Sequence, residues 1–243
     1  MEEAERQLHR ADMADLFVQT AERYEHDAIF LHPNPDRVDE TLHLVDLIRQ
    51  QTGDHYFLMR HGDATYSLPD GEHMAEFCYR LVDEPQKVKD EAQQNVDNAL
   101  EDARRYRQHG GLDGFALCAD YCFSNGPFLS PRQFSEFVAP YLKQLVQGYR
   151  ELGFYVIKHT DGNIMPIIDQ LVEAGPHAIH SIDPMAGVDL KQVKQQYGSH
   201  VALCGNVNCA LMQTGPLEAI QADAIALEAF LQQQINEQSP SDV

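Results

Sequence analysis

Short apolar runs and longer amphipathic stretches take turns along this chain. The runs are Ala28 to His32, Tyr56 to Arg60, Gly114 to Cys118, Phe154 to Lys158, Ala178 to Ile182 and Val201 to Cys204. Each is brief and rich in β-branched or aromatic residues, which suits a strand buried in a parallel sheet. Asp36 to Gln51 sets Val38, Leu42, Val45 and Ile48 near helical spacing, with Asp36 as the expected N-cap. Pro85 to Arg107 opens with proline in the first turn and is heavily charged, the pattern of an outer helix. Ser130-Pro131 starts another helix, striped by Phe134, Phe137, Tyr141 and Leu145 and ended by Gly153. Asn163 to Glu173, Asp189 to Gln196 and Pro216 to Gln234 are further helices by the same criteria, and Glu2 to Tyr24 has helical spacing at Leu8, Met13, Leu16 and Phe17.

Strand–helix alternation predicts a parallel sheet with right-handed crossovers. The expected fold class is α/β, a (β/α)8 TIM-barrel-like architecture that is incomplete, with about six βα units where a closed barrel has about eight. Ala64 to Gly71 is read as loop or a short irregular strand. No linker or shift in composition divides the chain. It reads as a single barrel domain over 1–243, with an N-terminal helical segment (1–27), a βα core (28–215) and a C-terminal helix and tail (216–243).

Charge and cysteine content narrow the function classes. The net charge of −20 repels nucleic acid, whose binding rests on Lys and Arg neutralising phosphates. The apolar runs are too short to cross a bilayer, and the acidic start Met1-Glu-Glu-Ala-Glu-Arg has no signal-peptide pattern. Five cysteines stand singly, which predicts a reducing, cytoplasmic setting. No Walker A, GxSxG or HExxH pattern occurs, so no nucleotide cofactor is expected.

Polar residues collect at the ends of the predicted strands: His32 after the first, Arg60, His61 and Asp63 after the second, and Asp120 and Tyr121 after the third. His159 and Asp161 follow the fourth, Asp183 the fifth and Asn206 the sixth. Strand C-termini line the ligand crevice of parallel α/β folds, which predicts a small-molecule mouth there. His159 and Asp161 are two apart and share a side if the strand extends that far, so an imidazole and a carboxylate can converge on one proton or one metal ion. Taken singly, each residue has a plainer reading as a helix cap or a solvated loop residue. Cys204 is a candidate soft ligand or a small buried hydrophobe.

Asp120-Tyr-Cys-Phe-Ser-Asn-Gly-Pro-Phe-Leu-Ser-Pro131, Gly153-Phe-Tyr-Val-Ile-Lys-His-Thr-Asp-Gly-Asn163, Ile182-Asp-Pro-Met-Ala-Gly-Val-Asp189 and Gly205-Asn-Val-Asn-Cys209 resemble, in order and spacing, the uroporphyrinogen decarboxylase superfamily. The resemblance runs over residues 24 to 220 and is strongest from 113 onward. It implies a (β/α)8 barrel and one of two activities: decarboxylation in haem synthesis, or zinc-dependent methyl transfer between corrinoid proteins and thiols. The Arg-rich first strand and the strand-end aspartate of the decarboxylases have no counterpart here, since His32-Pro33-Asn34 stand at the latter's place. His159-Thr160-Asp161 matches the methyltransferases' H-x-C zinc motif with aspartate for cysteine, and no cysteine follows Cys209.

The resemblance therefore implies a methyltransferase-like protein with a His-x-Asp site. His159 and Asp161 would be catalytic groups and zinc ligands, and Asp120 a further catalytic group. His32, Arg60, His61, Asp63, Tyr121, Asp183 and Asn206 would bind substrate. A corrinoid would serve as partner or substrate, and the assembly would be a homodimer. The alternatives are a uroporphyrinogen decarboxylase-type lyase and a truncated, non-catalytic barrel acting as a binding module.

Overall fold

The computed structural model describes residues 3–238. Glu2 and the tail beyond 238 lie outside the described residues. Six parallel strands form one sheet in sequential order: β1 (Ala28–Leu31), β2 (Phe57–His61), β3 (Gly114–Cys118), β6 (Tyr155–His159), β7 (Ala178–His180) and β8 (Ala202–Cys204). A small antiparallel hairpin, β4 (Cys122–Phe123) with β5 (Gly126–Pro127), follows β3. The sheet is open, with β1 and β8 at its edges. All six predicted strands are present, and the α/β, partial TIM-barrel class stands.

Sequential order has a structural consequence. Each right-handed crossover lands on the same face, so the helices cover one side of the sheet, as around a barrel. Alternation along the strands then sorts the residues. Ile29, Leu31, Leu58, Phe115, Leu117, Val156 and Ile179 are buried. Phe30, Met59, Ile157, His159 and His180 point the other way and are only half-buried. That second face corresponds to the lumen of a closed barrel.

The helical layer is made by α1 (Glu3–Arg23), α2 (Val38–Thr52), α3 (Met74–Asp83), α4 (Pro85–His109), α5 (Pro131–Phe137), α6 (Ala139–Glu151), α7 (Ile168–Glu173), α8 (Leu190–Tyr197), α9 (Cys209–Thr214) and α10 (Leu217–Gln238). No helix among the described residues is long and apolar enough to cross a membrane.

Several local expectations need correction. Arg37, not Asp36, precedes α2, and no side chain caps that helix; Asp36 instead pairs with Arg60 at 2.7 Å. The helix after Ser130 has the expected cap, a reciprocal Ser130–Gln133 capping box. It then breaks at Val138, because Pro140 follows two residues later and cannot donate to the preceding turn. Asn163 does not cap a helix. Its Oδ1 accepts from Met165 N at 3.2 Å in a turn, and α7 starts only at Ile168. In α1 the buried side is Ala14, Val18 and Ala21, while Leu8 and Leu16 are exposed. Ala64 to Gly71 is a loop, and α3, α9 and the hairpin are elements that the apolar pattern does not predict.

One buried charge ties the layers together. Lys158, on the helix side of β6, is fully buried. Its Nζ donates to Asp63 Oδ2 at 2.8 Å and to the carbonyls of Leu117 and Ala119 at 3.1 and 2.9 Å, and it lies 4.1 Å from the Tyr121 ring centroid. Asp63 also accepts from Ala119 N, Thr65 N and Thr65 Oγ1. Burial pushes the Asp63 carboxyl up, but Lys158 and the Thr65 donors outweigh it and hold the group below the usual carboxylate range.

Lys158→Met should lower unfolding stability by about 3–5 kcal/mol, since it strands a buried carboxylate, and Lys158→Met with Asp63→Leu should recover most of that loss. Because the folded-state value of Asp63 is depressed, its contribution is complete above the unfolded value of about 3.9 and is lost as pH falls through the folded value. Chemical denaturation at pH 7 on the wild type and the two Lys158 variants checks the first point; denaturation from pH 2 to 7 on the wild type and Asp63→Asn checks the second, and Asp63→Asn should show the shallower acid slope.

Candidate functional site

The strand C-termini meet where the sequence places them. Cys118, His159, His180 and Cys204 fall in register across β3, β6, β7 and β8, so they form one rung on the lumen face. Two residues beyond the ends of β3 and β6 stand Asp120 and Asp161. His159 Nε2 lies 3.6 Å from Asp120 Oδ1 and 3.9 Å from Asp161 Oδ2. One ligand atom from each of the three residues fits within 4.8 Å of the others. Asp120 and Asp161 together with Asp183 give the mouth a concentrated negative charge, which favours a cation.

Each carboxylate is held in place. Asp120 Oδ1 accepts from Asp161 N at 3.1 Å. Asp161 Oδ1 accepts from Ser181 Oγ at 2.5 Å. Asp183 accepts from Gly162 N at 3.2 Å and from Met185 N at 2.8 Å, which caps a 3-10 turn at Pro184–Ala186. Gly162 must be glycine: at φ +83° a Cβ would stand 2.7 Å from the carbonyl oxygens of Cys122 and Phe123. The hairpin is thus clamped against the His159–Asp161 loop, and Asn163 N donates to Phe123 O at 2.9 Å. Ile182, a β-branched residue between Ser181 and Asp183, holds φ +54°, a conformation that surrounding structure must enforce.

The other predicted site residues divide into groups. His32 and His61 meet at the β1–β2 end, their ring centroids 5.4 Å apart and both against Phe30. Burial, then His32 and Arg60, lower the His61 value. Arg60 turns to the helix side, bonded to Tyr106 and Asp36, and lines a cavity of about 370 Å³ with Asp102 and Tyr149. Asp63 belongs to the Lys158 network, and Tyr121 is buried with its hydroxyl on Thr65. Asn206 faces a shallow crevice between α8 and α10. Only Asp120, His159 and Asp161 converge on one point.

His180 and Ser181 were missed. His180 Nδ1 lies 2.7 Å from His159 Nδ1. The available signal was a histidine interrupting the apolar run Ala178–Ile182, at a position that alternation aims into the lumen.

The donor set fits a divalent cation: two carboxylate oxygens and one imidazole nitrogen are ordinary zinc ligands, one short of the usual four. Cys204 pairs with His180 and stands apart from this cluster. Burial raises its thiol, and burial pushes the Cys118 thiol up to about 11, so neither supplies a thiolate unaided at neutral pH.

An incomplete barrel of six parallel strands, with charged groups at its strand ends, defines a protein of (β/α)8 type. The sequence model described as uroporphyrinogen decarboxylase (URO-D) matches residues 64–240, and the chain belongs to the uroporphyrinogen decarboxylase family. A solved structure described as a methyltransferase from Methanosarcina mazei shares the fold, with TM-score 0.65 and 18% identity over 87% of this chain and 74% of that one. No curated protein matches the chain.

If the three residues act as one cation site, calorimetric titration of metal-free protein with zinc should give close to one equivalent. His159→Ala should abolish binding, and Asp120→Asn or Asp161→Asn should weaken it about 10–100-fold or more. The outer-residue effect at metal sites sets that lower bound.

Proposed function

We propose that this protein is a methyltransferase-like member of its family, acting through a divalent cation, zinc in the first instance, held by His159, Asp161 and Asp120. The convergence of three ligand atoms within 4.8 Å carries the reading. A bound zinc ion would act as a Lewis acid on a thiol or water in its open position. The chain's own groups do the rest. His159 offers Nε2, Ser181 orients Asp161, and the Asp161 amide orients Asp120. With fewer thiolates around it the cation would be the stronger Lewis acid, lowering the pKa of a bound thiol or alcohol further while leaving the bound anion less nucleophilic. Phe30, Met59 and Ile157 give the lumen face a half-buried apolar floor, suited to a large flat donor such as a corrinoid on a partner protein.

Uroporphyrinogen decarboxylation is the weaker reading. A substrate bearing many carboxylates needs arginines at the mouth, and Arg60 is turned away to Asp36 and Tyr106. A homodimer is the proposed assembly, with Leu8 and Leu16 of α1 and Leu217, Ile225 and Leu231 of α10 as exposed apolar contacts.

Zinc-loaded protein mixed with a methylated corrinoid protein and a panel of small thiols and alcohols should transfer the methyl group, followed by the corrinoid absorbance. His159→Ala should slow it at least about 100-fold. Fully loaded protein that transfers nothing would sink the methyltransferase reading, and retained binding of the corrinoid protein would then point to a non-catalytic module. Light scattering should give twice the 27.5 kDa chain mass; a constant monomer mass on concentration would exclude the dimer.

A further inference from the structure

His180 touches none of the carboxylates around His159, yet it makes the one hydrogen bond of the His159 ring among the described residues. The two rings lie side by side on neighbouring strands, centroids 4.9 Å apart and planes 33° apart, at a register position fixed by the β6–β7 ladder. Two nitrogens at 2.7 Å must share a proton, because two bare lone pairs would repel. One Nδ1 is therefore the donor. His159 Nε2 stands 3.6 and 3.9 Å from its carboxylate neighbours, beyond direct hydrogen bonding. The Nδ1 contact is thus the interaction that decides where the His159 proton resides.

We propose that His180 is a positioning residue that holds His159 with its proton on Nδ1, donated to His180 Nδ1, leaving the Nε2 lone pair free and aimed between Asp120 and Asp161. This deepens the cation reading above and rests on it for its purpose, though not for its geometry. Metal-ligating histidines commonly donate their second N–H to an acceptor that fixes tautomer and ring orientation. That acceptor here is a second imidazole. His180 is not among the residues whose ligand atoms gather at the site: that group is Asp120, His159 and Asp161. Its own proton sits on Nε2.

The test uses the full chain in three forms: wild type, His180→Phe and His180→Asn. The asparagine carbonyl oxygen stands near the place of Nδ1 and can accept the same proton. Long-range proton–nitrogen NMR on metal-free protein reads the His159 tautomer, and calorimetry with zinc alone reads affinity. The wild type should show Nδ1–H at His159. His180→Phe should lose that tautomer and bind zinc about 10–100-fold more weakly, and His180→Asn should restore both. An unchanged His159 tautomer in a folded His180→Phe protein overturns the proposal. So does zinc binding abolished in both variants with two imidazoles detected on the metal of the wild type by X-ray absorption. Tautomer control without zinc binding in any form would support the positioning role and overturn the cation reading separately.

Discussion

A buried ammonium group organises this molecule. Lys158 sits at the end of the central strand β6, out of water, and its three donors are taken by a carboxylate from the loop after β2 and two carbonyls at the end of β3. A charge in that position is tolerated only when fully paired. Its pairing therefore dictates where the ends of β2, β3 and β6 stand relative to one another. Tyr121 under the ammonium and Thr65 on Asp63 extend the same constraint into the loops.

The strand's alternation turns that constraint into a site. With Lys158 directed to the helices, His159 must face the lumen, and its level in the sheet is fixed by the same ladder that seats Lys158. Asp120 follows the carbonyl of Ala119 that Lys158 engages, so one of the two carboxylates beside His159 is placed by the ion pair directly. The hairpin packed on Gly162 and the strained turn at Ile182 hold the second carboxylate from the other side. The mouth is thus rigid for a reason that lies behind it.

Family membership and site chemistry give different kinds of information here. The family fixes the barrel plan. The candidate site offers oxygen and nitrogen donors, with Asp161 standing where the resemblance places a cysteine. A cation held by such donors would be a stronger Lewis acid than one held by thiolates.

By itself the sequence determined the six strands, their parallel arrangement and the end of the sheet that carries the chemistry, because short apolar runs rich in β-branched and aromatic residues, and polar residues at their ends, are local signals. His159 and Asp161 were legible for the same reason: two positions on one extended segment share a side. The tertiary structure decided the rest. Arg60 and Asp63 look like mouth residues, yet one turns to Asp36 and Tyr106 and the other closes on Lys158, since partners 24 and 95 residues away in sequence compete for them. Lys158 read as the polar end of a strand and proved to be its most buried charge. The split at Val138 and the role of His180 depend on what packs alongside, and register between strands is a long-range property that no single run of residues encodes.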